Sequence, residues 1–251
     1  MDLRAVILKE EAEFQKLFAH YEEREWGILF FNEQAPASND SNHAVLYPEK
    51  IADFETVLIE IKDFYTSKKL SPRLYQPFIN GYFSERKEIL NRHGFEIKIF
   101  GLTGFFVLTA ENSIIIKPQL DIRRIKQWDE RLATDVYIPS DEEYAIEPEK
   151  NNIKNENYYL FAGFLGDEIV AVISFHKSKY GCTRFDYILT SIKHRGKGYA
   201  KEMMNFAVEF CKNNGFENCY TWFASPYSEK IAYEAGFRQL FEVETGTAFC
   251  E

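Results

Sequence analysis

The sequence predicts an α+β protein in which short strands and amphipathic helices alternate through two successive halves. Three observations carry this. Short apolar runs bounded by turn residues alternate with segments whose apolar residues recur at helical spacing. Two apolar runs flank Gly166-Asp167, a strong hairpin signal. Each half also closes in the same order: strand, helix, strand, a helix ending in Gly-Phe, strand. The Gly-Phe pairs are Gly94-Phe95 and Gly236-Phe237. This is a weak repeat, carried by pattern more than identity. A chain of 251 residues is long enough for two small domains. The polar seam from Ala110 to Ser113 divides it into 1–111 and 113–251.

The first half opens with a strand expected at Arg4 to Leu8. A helix follows, with Phe14, Leu17, Phe18 and Tyr21 on one face. Trp26 to Asn32 reads as a buried strand, Gln34 to Asn42 as a loop, and His43 to Tyr47 as a short strand. Phe54, Leu58, Ile61 and Phe64 mark a helix within Ile51 to Tyr65. Pro72 to Phe78 is strand-like. A helix from Ser84, its expected N-cap, runs to Gly94. Gly94 to Leu108 reads as two strands joined by a turn.

The second half adds strands. Ser113 to Pro118 reads as a strand and Leu120 to Tyr137 as a helix. Ile138 to Asn152 is polar and acidic. The hairpin over Tyr158 to Phe175 comes next, then a strand at Thr183 to Leu189. A helix carries Met204, Ala207, Val208 and Cys211 on one face and stops at Asn214-Gly215. The chain ends with a strand at Phe216 to Ala224, a short helix from Ser225 to Phe237, and a closing hairpin of FRQLFEV with TAFCE.

Composition narrows the function. A net charge of -9 is opposite to that of most duplex nucleic-acid binders and compatible with a cationic substrate. The four cysteines form no CxxC pair, so reduced thiols in a cytosolic protein are expected, and no metal site. The N-terminal stretch has charges inside its apolar core and does not read as a signal peptide. No apolar run reaches transmembrane length, so no membrane contact is expected.

The most informative stretch is SIKHRGKGYAKEM, Ser191 to Met203, between a strand and a helix. A helix N-terminus offers unpaired backbone N–H groups and partial positive charge, and glycine lets an anion approach that backbone closely. Arg195 and Lys197 add charge. A Walker loop fails because Gly196-Lys197 is followed by Gly198 rather than Ser or Thr. A dinucleotide fingerprint fails because Lys201 stands where its third glycine belongs, and the preceding strands read as an antiparallel meander. A tight turn with solvated lysines is the plain alternative.

Arg195-x-x-Gly198-x-Ala200, after an apolar strand and before an amphipathic helix, resembles the acetyl-CoA pyrophosphate loop of the GNAT N-acetyltransferase superfamily, Q/R-x-x-G-x-G/A. The stretch IIIKPQLDIRRI resembles the family's first strand and helix start, and YEAGF its closing helix. The resemblance covers about residues 113–251. Residues 1–111 resemble a degenerate copy. In that copy Asp53-Phe54-Glu55-Thr56 stands where the loop would be, acidic and without glycine.

The resemblance implies the acyl-CoA N-acyltransferase fold: a mixed, mostly antiparallel central sheet flanked by helices, in tandem. It implies acetyl transfer from acetyl-CoA to a primary amine of a small molecule or peptide. The alternative is a non-catalytic acyl-CoA-binding or protein-interaction module. Backbone donors from Arg195, Gly196, Lys197, Gly198, Tyr199 and Ala200 would hold the pyrophosphate. The strand at Ile188, Leu189 and Thr190 would pair with the pantetheine arm. The thiolate acid is usually a tyrosine four residues before the closing Gly. Ala232 holds that position and Tyr233 is one step on, about 100° around the helix. Tyr227 is a second candidate acid, and Asp186 is the candidate base, read equally well as a strand residue paired with Arg184. His194 reads as a polar neighbour of the phosphates. The acidic residues Asp141, Glu142, Glu143 and Glu147 would line the acceptor side and select a cationic amine, or form a solvated face. A homodimer and a cytoplasmic location complete the expectation.

Overall fold

A computed structural model of the protein describes residues 2–112, 114, 117–223 and 226–250. It divides into two compact units. One comprises Met1–Ile7 with Gly104–Phe241, the other Leu8–Thr103 with Glu242–Glu251. The expected halves, 1–111 and 113–251, differ from these units because the first helix and two long strands each run from one unit into the other.

The chain opens with helix α1 (Leu3–Glu13), not the strand expected at Arg4 to Leu8. The strong helix formers of Lys9 to Glu13 extend through the apolar run, and Ile7 and Phe14 fall on its buried side. The helix expected through Tyr21 is a 3-10 turn, Phe14–Leu17, followed by β1 (His20–Arg24). β1 pairs with β2 (Gly27–Phe31) across Glu25-Trp26, and cross-strand pairing overrides the helical spacing there. β3 (His43–Leu46) lies antiparallel to β2. Helix α2 (Phe54–Ser67) then crosses to β4 (Arg73–Tyr75), parallel to β3. Two short helices follow, α3 (Tyr82–Glu85) and α4 (Lys87–Arg92); Ser84 lies inside α3 and caps nothing. Val57, Leu58, Ile61 and Tyr65 of α2 bury this unit's core against Leu29, Leu46 and Leu74.

β5 (Glu96–Leu108) is one strand, not two joined by a turn. The strand expected at Ser113 to Pro118 lies largely outside the described residues. β6 (Asp121–Ile125) occupies the start of the segment expected to be helical, because all five of its residues pair antiparallel with Leu160 to Phe164 of the next strand. A short helix α5 (Glu130–Leu132), capped by Asp129, runs into a π-helical turn at Ala133–Tyr137. Helix α6 (Ile146–Asn152) follows. β7 (Tyr158–Leu165) and β8 (Glu168–Lys177) form the hairpin around Gly166-Asp167. β9 (Thr183–Thr190) leads to α7 (Tyr199–Asn213), then β10 (Cys219–Trp222), α8 (Pro226–Glu234) and β11 (Phe237–Phe249).

The closing hairpin is absent: β11 is a single strand. Gly246, between the two expected strands of that hairpin, is a place of close approach. A Cβ there would sit 2.8 Å from the Lys98 carbonyl oxygen. The sheet order within the larger unit is β5-β10-β9-β8-β7-β6, mostly antiparallel with β9 and β10 parallel. In the smaller unit it is β1-β2-β3-β4-β11. The fold class is the α+β architecture the sequence implies. In the larger unit Met203, Ala207, Val208 and Cys211 of α7 pack on Phe161, Phe175 and Phe185 of the sheet. All four cysteines are buried and none forms a disulfide. Among the described residues no helix is long and apolar enough to cross a membrane.

Candidate active site

Among the described residues β9 and β10 pair only at Thr183↔Cys219 and Arg184↔Tyr220. Beyond Arg184 no further pairs join the two strands. Ile188, Leu189 and Thr190 still pair with β8, through Ile173, Val172 and Ala171, but among the described residues their other edge has no strand partner. Parallel strands that part in this way leave backbone N–H and C=O groups available to an extended ligand.

The opening leads to the glycine turn. Ser191 starts a short 3-10 turn, Ile192–His194, and Arg195 is extended. Gly196 and Gly198 have φ of +79° and +90°, and a Cβ on either would meet nothing within 4 Å. The positive φ favours glycine, and the open space beside it leaves room for a ligand. Gly198 is the N-cap of α7 and no side chain caps the first turn. The N–H groups there can therefore serve an external anion.

The charges around the turn are sorted by their partners. Lys193 pairs with Glu168, and Lys201 pairs with Glu234 at 2.5 Å. His194 is buried, its Nε2 3.2 Å from Glu168 and its Nδ1 3.3 Å from Lys197 Nζ. Arg195 donates from Nε to the Thr190 carbonyl at 3.2 Å. Among the described residues neither Arg195 nor Lys197 forms an ion pair with a carboxylate, so both cations remain for a ligand. Tyr199 and Ala200 supply the first helical N–H groups; Tyr199 is buried with its ring 6.2 Å from that of His194.

The face of the sheet opposite α7 is polar beside β9. A bulge sets Asp186 and Tyr187 against Ser174, and Tyr187 N–H donates to Ser174 Oγ at 3.2 Å. Asp186 accepts from the Arg184 guanidinium, a pair sequestered from water. Tyr187 donates to Glu142, and its oxygen lies 3.3 Å from that of Tyr144. Burial, then Glu142, holds the Tyr187 phenol above its ordinary range. Behind them stands Glu149 on α6, 3% exposed, with Oε1 accepting from Tyr158 at 2.8 Å and Oε2 without a partner. Burial first, then the charge of Asp186, pushes the Glu149 carboxyl up to about 8.

The site residues expected from the sequence fall into two groups. Asp186, Ile188, Leu189, Thr190 and the segment Arg195 to Ala200 are brought to the end of one strand and the helix it feeds. Tyr227 and Tyr233 are 84% and 51% exposed on α8, and the Tyr233 ring lies under the Arg238 guanidinium at 4.1 Å. Ala232, in the position usual for the acid, points into the core. Of the acidic run, Asp141, Glu143 and Glu147 are exposed; Glu142 turns inward to Tyr187. Sequence reasoning missed Glu149, Tyr137 and Tyr158. A signal was present, since Ala145, Glu149 and Asn152 are spaced i, i+4, i+7 on one helical face.

The whole architecture recurs in solved proteins. A GCN5-related N-acetyltransferase from Kribbella flavida superimposes with a TM-score of 0.66 at 12% identity, over 100% of this chain and 95% of its own. A functionally unknown conserved protein from Staphylococcus epidermidis matches at 0.66 and 10% identity, over 94% and 95%. A GCN5-related N-acetyltransferase from Sphaerobacter thermophilus matches at 0.55 and 10%, over 96% and 91%. At these identities the likeness is one of fold. No curated protein matches the chain in sequence. The sequence profile of the acetyltransferase (GNAT) family matches residues 122–237, which span β6 to the start of β11 and contain the open strand edge and the glycine turn. Residues 122–237 of this chain are an acetyltransferase domain of the GNAT family.

Proposed function

We propose that the protein transfers an acetyl group from acetyl-CoA to a primary amine, with the whole donor site in the larger unit and the first half acting as a degenerate copy without one. One observation carries the reading. An unpaired strand edge at Ile188–Thr190 runs into an uncapped helix mouth with two open glycines and two cations free of carboxylate partners. A pantetheine arm can hydrogen-bond the strand edge while its pyrophosphate meets the N–H groups from Arg195 to Ala200. A backbone donor on the strand would stabilise the thioester oxygen as it gains charge.

The exposure of Tyr227 and Tyr233 favours a second reading, an acyl-CoA-binding module without turnover. Calorimetry with CoA and thiol release across a panel of amines separate the two, since binding without thiol release selects the second. Gly198→Asp places a carboxylate at the pyrophosphate position, and aspartate tolerates positive φ better than most residues. CoA affinity is expected to fall by about a hundredfold or more, roughly 2.7 kcal/mol. Unchanged affinity in that variant rejects the donor site.

A further inference from the structure

His194 is buried beside the glycine turn, 8% exposed, and two neighbours fix its place. Its backbone N–H donates to the Ser191 carbonyl at 2.8 Å, which closes the 3-10 turn, and its ring lies 6.2 Å from that of Tyr199, the first residue of α7. Lys197 has no such support. It is exposed, on a long flexible stem, and it stands between Gly196 and Gly198, the residue type with the most backbone freedom to lose. Among the described residues no carboxylate pairs with it. Its ammonium lies instead 3.3 Å from His194 Nδ1.

That contact fixes the tautomer of the ring. An ammonium carries three donors and no acceptor, so Nδ1 presents its lone pair and the ring proton sits on Nε2. Nε2 faces Glu168 Oε1 at 3.2 Å, and the same carboxylate pairs with Lys193. Glu168 is the first residue of β8, so the series Glu168, His194, Lys197 ties the glycine turn to the sheet. His194 itself is enclosed, so its influence on an anion at the turn passes through Lys197.

We propose that His194 is a positioning residue of the donor site: its Nδ1 holds the Lys197 ammonium, and with it the two-glycine turn, in place for a phosphate ester of the ligand. This rests on the donor-site reading above and adds to it a side chain that acts through another. A lysine and two glycines ordered before the ligand arrives need not be ordered by binding, and the affinity gains by that difference. Glu168 supports the arrangement from the far side of the ring, by facing the Nε2 proton.

A double-mutant cycle on the full chain, read by calorimetry with CoA, tests this. Lys197→Met is expected to lower CoA affinity about tenfold, and His194→Phe about fivefold or more. In the Lys197→Met background His194→Phe should cost less than about twofold further, because the side chain it positions is gone. Additive losses overturn the proposal and leave the donor site standing. A wild-type protein that binds no CoA overturns both. Two further variants separate the ring nitrogens. In His194→Asn the side-chain oxygen can stand where Nδ1 stands; in His194→Gln the amide reaches the Nε2 end and leaves Lys197 without an acceptor. His194→Asn should stay within about threefold of wild type, and His194→Gln should lose as much as His194→Phe. Equal affinities in these two overturn the proposal, and the pair replaces His194→Phe if that variant lowers the thermal midpoint by more than roughly 5 °C. Dephospho-CoA, which lacks the ribose phosphate, identifies the ester. A His194 effect that vanishes with it supports Lys197 on the ribose phosphate, and one that persists supports Lys197 on the pyrophosphate. Nitrogen NMR of the free protein should show the His194 ring with its proton on Nε2. A proton on Nδ1 overturns the proposal.

Discussion

Helices α2 and α7 hold matching places in the two halves of the chain and treat their N-termini in opposite ways. The mouth of α7 is glycine with positive φ, no side-chain cap and open space. The mouth of α2 is Asp53, whose carboxylate accepts from Glu55 N–H at 3.0 Å and from Thr56 Oγ1 at 2.6 Å. Those bonds hold the Asp53 carboxyl below its usual range. One helix leaves its anion site for a ligand; the other fills it with its own side chain. The buried ionisable groups differ as well. In the larger unit burial shifts an acid, Glu149, although His176 and His194 are buried there too. In the smaller, which also buries Glu10 and Glu11, it shifts a base, His43, stacked on Tyr75 at 3.8 Å with Nδ1 3.1 Å from the Asn39 carbonyl. Burial pushes His43 down to about 4. A helix mouth closed by its own acid and a histidine kept neutral serve stability. An open mouth and an acid with a vacant oxygen do not, and that contrast supports the proposal of a donor site within residues 122–237.

The largest effect expected from this contrast is on the pH dependence of stability. Between about 4 and 6.5 the unfolded chain binds the His43 proton and the folded one does not, so His43 makes stability rise with pH across that window. Glu149 does the reverse. The folded state holds its proton up to about 8 while the unfolded one releases it near 4.5, so stability falls as pH rises between them. At about 1.4 kcal/mol per pKa unit the changes amount to roughly 3 kcal/mol for His43 and roughly 5 kcal/mol for Glu149. Urea midpoints from pH 4 to 9 should show His43→Asn removing a rise confined to about pH 4 to 6.5 and Glu149→Gln removing a fall that extends to about pH 8. The contrast fails if either variant leaves its own window unchanged.

Next in size is the donor site. Gly198→Asp should remove CoA binding, whereas Asp53→Gly should create none, because Pro48 to Ala52, which lead into that helix mouth, include no glycine. CoA binding by the double variant, measured by calorimetry, would show that the first half carries a second site.

Tyr233→Phe is expected to lower turnover by less than about tenfold, below the effect usual for a positioned acid. Its ring is half exposed under Arg238, and the CoA thiol, with an ordinary pKa near 8.5, needs little help to regain a proton. A loss of about a hundredfold, with CoA affinity and thermal midpoint unchanged, would make Tyr233 the acid. The smallest effect is the cap itself: Asp53→Ala should cost about 1 kcal/mol in denaturant unfolding.

Much of the site was legible because it is local chemistry. Gly-x-Gly before an amphipathic run states a helix mouth in a few residues, and Asp53 with Thr56 states its closed counterpart. The hairpin at Gly166-Asp167 was legible for the same reason. The candidate acid was legible only as a problem of phase: the spacing from Gly236 put Ala232 on the inner face and Tyr233 beside it, and both are found there. The acidic run drew attention to Asp141, Glu143 and Glu147, which water covers, while the carboxyl without a full set of partners was Glu149, two residues further along.

By itself the sequence determined the elements that turns, caps and periodicity define: the α+β class, the glycine mouth of α7, the helix faces of α2 and α7, and the absence of glycine at Asp53. Only the tertiary structure decided which apolar runs pair. Arg4 to Leu8 became helix, Asp121 to Ile125 became strand, and the two expected turns of β5 and β11 became continuous strands. The physical reason is the range of the forces. A cap or a tight turn is settled within a few bonds of its own residue. A strand exists only where another strand meets its edge, and a carboxyl is strained only where distant elements close over it.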